Sequence, residues 1–220
     1  MSDLAAVSSY WLLFAKGLGT TIWISWLALL IGSVVGGILA HLRLVPARPV
    51  RAVVVGYIEL FRSIPPLMLF FGSYYGVSYA LGLNLSPFVA ATVALSLHAS
   101  SMMSEVIRGG LQSVDSGQWA AGRASGMTNL QILSLVVWPQ SFRVALPPAV
   151  GVYIATLKDT AVASVIGYVE LTRSGLIVRE NTGSSFLVFV IIAAMYFVVC
   201  YAISQLGAYW ERRFRIVGHK

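Results

Sequence analysis

Three groups of residues in this chain combine charge with a place in or beside an apolar stretch, where charge is costly and therefore marks candidate function. Glu59 and Arg62 stand three apart on one helical face, directly before Ser63-Ile64-Pro65-Pro66. The two prolines lack amide hydrogens, so nearby carbonyls lose their helical donors. In a bilayer such carbonyls are tolerated only against protein or water. Opposite charges beside open backbone dipoles suit a zwitterionic ligand; the competing reading is a kink with a helix-stabilising ion pair. Glu105 and Arg108 repeat the spacing and read as a structural pair near the headgroups, with Ser100, Ser101 and Ser104 as a polar path one turn above. His98 reads as a hydrogen-bonded packing residue. Lys158-Asp159-Thr160 places two opposite charges and a hydroxyl together, the complement that an ammonium and a carboxylate need. An interfacial salt bridge would explain it equally. On a helix the first two point about 100° apart, so both face one ligand only if the helix unwinds.

No Cys/His set has metal-ligand spacing, no serine–histidine arrangement suggests hydrolysis, and G-x-x-x-x-G-K-[ST] is absent. The chemistry on offer is binding and passage, with no catalytic residue, metal or cofactor expected.

The positioning elements are membrane helices. The chain of 220 residues is 58% hydrophobic and 10% charged, with mean hydropathy +0.81; a soluble domain carries about 25% charged residues. The net charge of +7 comes from basic residues flanking apolar runs, which sets orientation in a bilayer and argues against nucleic acid. The first ten residues carry Asp3 and no basic residue, so no secretory signal is expected.

With roughly 20 apolar residues per crossing, five spans are expected: 21–40, 53–81 interrupted at Ser63–Pro66, 88–108, a shorter 140–157, and 185–209. Gly32, Gly36 and Gly37 offer the first span a small-residue packing face. The turn Gly82–Pro87 separates spans two and three, and 158–183 reads as a polar patch. Arg43, Arg48 and Arg51, then Arg108 and Arg123, then Arg212, Arg213, Arg215 and Lys220 fall on one side of this layout. The N-terminus is thus expected outside and the C-terminus in the cytoplasm.

The segment 116–139, SGQWAAGRASGMTNLQILSLVVWP, does not read as a span. Ser116 would cap a helix through Ala120, Ala121 and Ala124, Gly126 would end it in a left-handed conformation, Asn129 would restart it, and Pro139 would open the next span. Small residues keep the surface of this helix–turn–helix elbow shallow enough for a partner's groove.

Here the chain resembles a known family. The segment is similar to the EAA loop of bacterial ABC importer permeases, whose pattern is E-A-A, three residues, G, then nine residues and I-x-L-P. Phe61–Pro65, Ser104–Gly110, Met127, Pro139-Gln140, Arg143, Leu146-Pro147 and Lys158–Thr160 are similar to the polar amino acid subfamily, in the family's order over about 10–215. The resemblance implies a type I ABC importer permease: a single all-α transmembrane domain over 1–220, in the bacterial inner membrane, moving a polar amino acid by alternating access. It implies an ATP-binding cassette ATPase that binds the ATP and magnesium, a second permease subunit, like or homologous, and a periplasmic substrate-binding protein. Glu59, Arg62, Ser63, Pro65, Ser100, Ser101, Ser104, Lys158, Asp159 and Thr160 then become candidates for the substrate path. Gly117, Ala120, Ala121, Arg123, Gly126, Met127 and Pro139 become candidates for ATPase docking. The chain departs from the pattern at the triplet, with Ala120 in place of the acid and Gly122 in third position. It cannot make the ion pair that the family glutamate offers, and docking by shape is expected instead. The remaining alternative classes are an ion-coupled transporter or channel without an ATPase, and an intramembrane enzyme, for which Glu59, Arg62 and His98 are too scattered.

Overall fold

The computed structural model describes residues 2–214, all of whose regular elements are helical. Arg215 and Lys220, counted above in the basic C-terminus, lie outside the described residues. After α1 (Ser2–Ser8) comes the long α2 (Trp11–Leu42), then α3 (Arg48–Ser63) and α4 (Pro66–Phe71). A π-helical turn at Gly72–Gly76 joins α4 to α5 (Val77–Leu81). The central α6 (Pro87–Gln112) precedes the short α7 (Ser116–Ala124) and α8 (Asn129–Ile132), and a second π turn, Leu133–Val137, leads straight into α9 (Trp138–Asp159). A 3₁₀ segment Thr160–Ile166, α10 (Leu171–Thr182) and α11 (Ser185–Phe214) complete the order.

Among the described residues, three stretches are long and apolar enough to cross a membrane: 11–42, 129–166 and 185–213. The pair Arg48–Ser63 and Pro66–Leu81, bent by 107°, makes a fourth if counted as one broken span. The stretch 88–108, expected as span three, lies in α6, which is not among these. At 26 residues α6 is about 39 Å long, ample for a bilayer, but its serines and charges dilute its apolarity. Those polar groups turn inward: Ser96, Ser100, Ser101 and Ser104 are all buried.

The two main neighbours of α6, α2 and α9, pack against it through small residues. A Cβ on Gly32 would lie 2.7 Å from the Ala99 Cβ, and one on Gly36 2.8 Å from the Ser100 carbonyl oxygen. The small-residue face expected of the first span is therefore its seam with α6. Gly37 is looser, with Ile107 3.8 Å from its would-be Cβ. Gly110 does the same for α9, meeting Ser141, and Gly207 on α11 closes against Val150 of α9. One apolar core joins α2, α4, α6 and the 3₁₀ segment around Ile24, Phe70, Leu95 and Ala163. A second joins α1, α2, α10 and α11 around Phe14, Leu171, Val178 and Val188.

Two expectations are corrected. The region 158–183 is no loose polar patch: α10 buries Leu171, Ser174, Gly175 and Val178, and Gly175 sits so close to Ile192 of α11 that it has no room for a side chain. The expected short span 140–157 is the middle of a continuous stretch, 129–166, because the π turn carries the chain from α8 into α9 without a break. The turn at Gly82–Pro87 is as expected. Gly82 is left-handed (φ 66°), and Ser86 caps α6 by accepting from the Val89 amide.

Candidate functional site

The break between α3 and α4 follows from its prolines. Ile64 and Pro65 are extended (ψ 126° and 138°), and the carbonyls of Phe61 and Arg62 have no amide hydrogen four residues on, because those positions are Pro65 and Pro66. His98 of α6 replaces one of these donors: its Nδ1 lies 3.0 Å from the Phe61 carbonyl oxygen. The histidine read as a packing residue is thus a hydrogen-bonded strut for the break.

A cavity of about 950 Å³ opens beside the break. Glu59, Ser63 and Pro65 line it, with Ile64, Met68 and Leu97 among its apolar neighbours. Arg62 is not in the lining; it pairs with Glu59 at 3.8 Å, the two side chains 39% and 59% exposed. An apolar cavity with few convergent polar groups is the usual form of a small-molecule site.

The other candidates divide. Ser100 lies between α6 and α3, 2.8 Å from the Tyr57 hydroxyl, and lines a small cavity of about 240 Å³ with Tyr57, Thr92 and Ser96. Ser101 donates to the His98 carbonyl. Ser104 is buried beneath Gly36. Lys158 is exposed and Asp159 half-buried. Thr160 is fully buried, its hydroxyl donating to the Leu157 carbonyl at 2.7 Å.

Glu105, expected to pair with Arg108, holds two arginines. One oxygen accepts from Arg43, after α2, and the other from Arg108 Nε and Nη2 at 3.0 and 2.5 Å. This partly exposed cluster joins the C-terminal ends of α2 and α6 where the chain turns into the elbow.

The elbow folds on an apolar cluster of its own: Leu111, Ile132 and Val137, with Trp119, Met127 and Leu133 packed against them. Its first cap differs from expectation. Asp115 is the N-cap, accepting from the Gly117 amide at 2.6 Å, and Ser116 is the first helical residue; a carboxylate there also complements the helix dipole. Gly126 ends α7 in the left-handed conformation (φ 76°). Thr128 then begins α8 with a reciprocal capping box to Gln131. Gly122 is buried against Ile132, 2.7 Å from where a Cβ would stand, so the third triplet position must be small for α7 to fold onto α8. Gly117, Ala120, Ala121, Arg123, Gly126 and Pro139 are exposed, while Met127 is drawn into the cluster. Leu130 and Leu135, 73% and 67% exposed, add an apolar surface that residue types alone did not single out. Their exposure depends on which side of α8 and the π turn Ile132 and Val137 bury.

Residues 28–216 match the family model described as binding-protein-dependent transport system inner membrane component. The L-cystine transport system permease protein TcyB of Bacillus subtilis (strain 168) is 34% identical over 206 residues, 93% of this chain and 88% of that protein. The probable glutamine ABC transporter permease protein GlnP of the same organism is 33% identical over 217 residues, 97% and 99% of the two chains. A solved amino acid ABC transporter with histidines shares the fold with a TM-score of 0.88 at 36% identity, over 94% of this chain and 96% of that one. An inward-facing MetNI methionine ABC transporter shares the fold alone, with a TM-score of 0.78 at 21% identity, over 93% and 97%. The proline-broken helix beside its cavity and the folded elbow are thus set in a sequence that matches one family over most of its length, and the chain belongs to the binding-protein-dependent transport system inner membrane component family.

Proposed function

We propose that this chain is the permease subunit of an ATP-driven importer of a polar amino acid, with ATP hydrolysed by a separate subunit. The observation that carries the reading is the elbow. Exposed small residues of α7 and the exposed Leu130 and Leu135 stand on a cluster that is one piece with the foot of α6 and, through the π turn, with α9. A push on α7 and α8 is therefore delivered to both helices. Ala120 and Ala121 dock by shape, and without the family's acid at 120 no interfacial ion pair is needed; such pairs are close to neutral overall.

In this reading α2, the broken α3–α5, α6, α9 and α11 make five crossings of the bacterial inner membrane, with the N-terminus outside and the C-terminus in the cytoplasm. The arginine-rich ends of α2, α6 and α11 then share the cytoplasmic side. The cavity at the proline break receives the substrate from a periplasmic binding protein. In that cavity Glu59 meets the ammonium, Ser63 supplies a hydroxyl, and the Arg62 carbonyl left open by Pro66 is a further acceptor; Arg62, Ser100, Lys158 and Asp159, outside its lining, are met elsewhere along the path. A second permease subunit, identical or homologous, closes the exposed side of this cavity.

The test is reconstitution of the chain with its ATPase, partner permease and binding protein in vesicles. Uptake of a polar amino acid should require ATP and the binding protein, and replacing Leu130 and Leu135 together with serine should release the ATPase. Uptake driven by an ion gradient without ATP would sink the proposal.

A further inference from the structure

Two carboxylates at opposite ends of the bundle find their partners inside the chain. Glu105 is held by Arg43 and Arg108. Glu170, the N-cap of α10 with no exposed surface, accepts from the Thr172 amide at 2.8 Å and the Arg173 amide at 2.7 Å. It also accepts from the hydroxyls of Tyr196 on α11 at 2.9 Å and Thr21 on α2 at 3.5 Å, a network that ties α2, α10 and α11 together. Arg123, on the elbow, is different. It is exposed on α7, and its guanidinium enters no ion pair or hydrogen bond among the described residues.

It is also the only charged residue in the whole elbow, 116–139. The nearest acid in sequence, Asp115, lies more than two helical turns back and is already bonded to the Gly117 amide. Trp119 and Gly122 turn inward to the elbow's cluster. At 100° per residue, Arg123 then falls between Trp119 and Ala120, at the edge of the outward face. An acid at 120, as in the EAA pattern, would stand three residues before Arg123 on one side of α7 and pair with it inside the elbow. With alanine there, the guanidinium is left for a partner. The exposed surface around it is small or apolar: Ala120, Ala121, Ala124, Leu130 and Leu135.

We propose that Arg123 selects the ATPase: the cleft that receives this elbow is apolar where it meets Leu130 and Leu135 and carries a carboxylate at its rim, where Arg123 arrives. This rests on the reading above that the elbow docks onto a separate ATPase. Shape supplies the affinity, and the charge supplies the choice of partner. A rim ion pair adds little net affinity, but it speeds encounter with an acidic rim and opposes a basic one. A cleft built with a cation to meet an acid at 120 is therefore the wrong partner for this chain.

The full chain with its partner permease, held in lipid nanodiscs and stripped of ATPase, decides the matter when the purified ATPase subunit is added back and its association rate is followed against salt. In Arg123→Gln the rate should fall about 3- to 10-fold at low salt and approach the parent's at about 0.5 M, where screening confines a charge to a few ångströms. Arg123→Glu should fall further at low salt, by more than about tenfold, because like charges then face each other. Ala120→Glu should slow association as Arg123→Gln does, since the new acid captures the guanidinium within α7. Both positions are exposed, so Tm should stay near the parent's, which separates a lost contact from a misfolded elbow. If Ala120→Glu or Arg123→Glu associates as fast as the parent or faster, the rim is basic or neutral and the inference is wrong. It is equally wrong if Arg123→Gln keeps the parent's rate at every salt. A parent chain that takes up no ATPase at any salt would instead sink the docking reading itself, and this inference with it.

Discussion

Glu105 and Glu170 are carboxylates at opposite ends of one helix bundle, and the chain stabilises them by different physics. At the elbow end Glu105 is 19% exposed and is balanced by two guanidinium groups, Arg43 and Arg108, the latter also donating to Gln112 at 2.5 Å. At the far end Glu170 has no exposed surface and, among the described residues, no cation within ion-pair distance; two amides, a phenol and a threonine hydroxyl surround it. Partly exposed ion pairs exchange for water at small cost, whereas a buried group stripped of its partners bears the full desolvation penalty. The comparison teaches that one end of the bundle is built to loosen and the other to hold. The loose end is the one that adjoins the elbow, where the proposed ATP-driven motion enters.

The largest effect should come from breaking the far end. Glu170→Ala removes the cap of α10, worth about 1 kcal/mol, and leaves Tyr196 and two amides without their acceptor, at about 1–3 kcal/mol more. Thermal unfolding of the purified transporter should show a loss of several degrees, with α10 becoming open to proteolysis near 171–182 before the elbow does. An undiminished Tm would mean that the network is not holding α2, α10 and α11 together.

That network is also where the sequence was least legible, and the reason is physical. Signals carried by one residue's own backbone could be read directly. Pro65 and Pro66 lack amide hydrogens and bend the chain by 107°, Gly82 and Gly126 are left-handed as their turns demand, and Gly32 and Gly36 form the α2–α6 seam. Glu170, by contrast, read as one charge in a polar stretch, because its burial depends on Thr21, 149 residues away, and on Tyr196. Glutamate is not among the residues that favour the cap position, so nothing in Glu170-Leu171-Thr172-Arg173 announced the start of α10 within the polar patch. At the elbow, Asp115 and Ser116 are both good caps, and only the folded geometry selects the aspartate. Ala120 stands exposed on α7, so the departure from the family's acid leaves the elbow's own packing untouched.

A smaller effect is expected from breaking the elbow end. Arg43→Ala removes one of the two cations on Glu105 while Arg108 remains, so the loss should be about 0.5–1.5 kcal/mol. It should also shrink as ionic strength rises, because screening weakens what Arg43 contributes in the parent. Measured in the same unfolding assay, the gap between parent and Arg43→Ala should be wider at low salt than at about 1 M, while the gap between parent and Glu170→Ala should be indifferent to salt. Equal salt dependence at both ends would erase the distinction between charge pairing and dipole solvation on which the comparison stands.

The smallest effect sharpens the comparison through protons. Burial pushes the Glu170 carboxyl above its ordinary value of 4.5, and the bonds from the Thr172 and Arg173 amides and from Tyr196 only partly pull it back. A carboxyl whose folded pKa is raised favours the protonated form in the folded state. Its contribution to stability is therefore complete below about pH 4.5 and is lost as pH rises through the folded value. Glu170→Gln has no proton to lose, so the stability gap between parent and variant should narrow as pH rises from about 4 toward neutral, by about 1.4 kcal/mol for each unit of upward displacement. The variant is the less stable of the two at low pH, since its amide nitrogen cannot accept from whichever backbone N–H it faces. A gap that widened with pH would mean that the four donors outweigh burial, and that the far end is held by a permanently ionised carboxylate instead of one that resists charge.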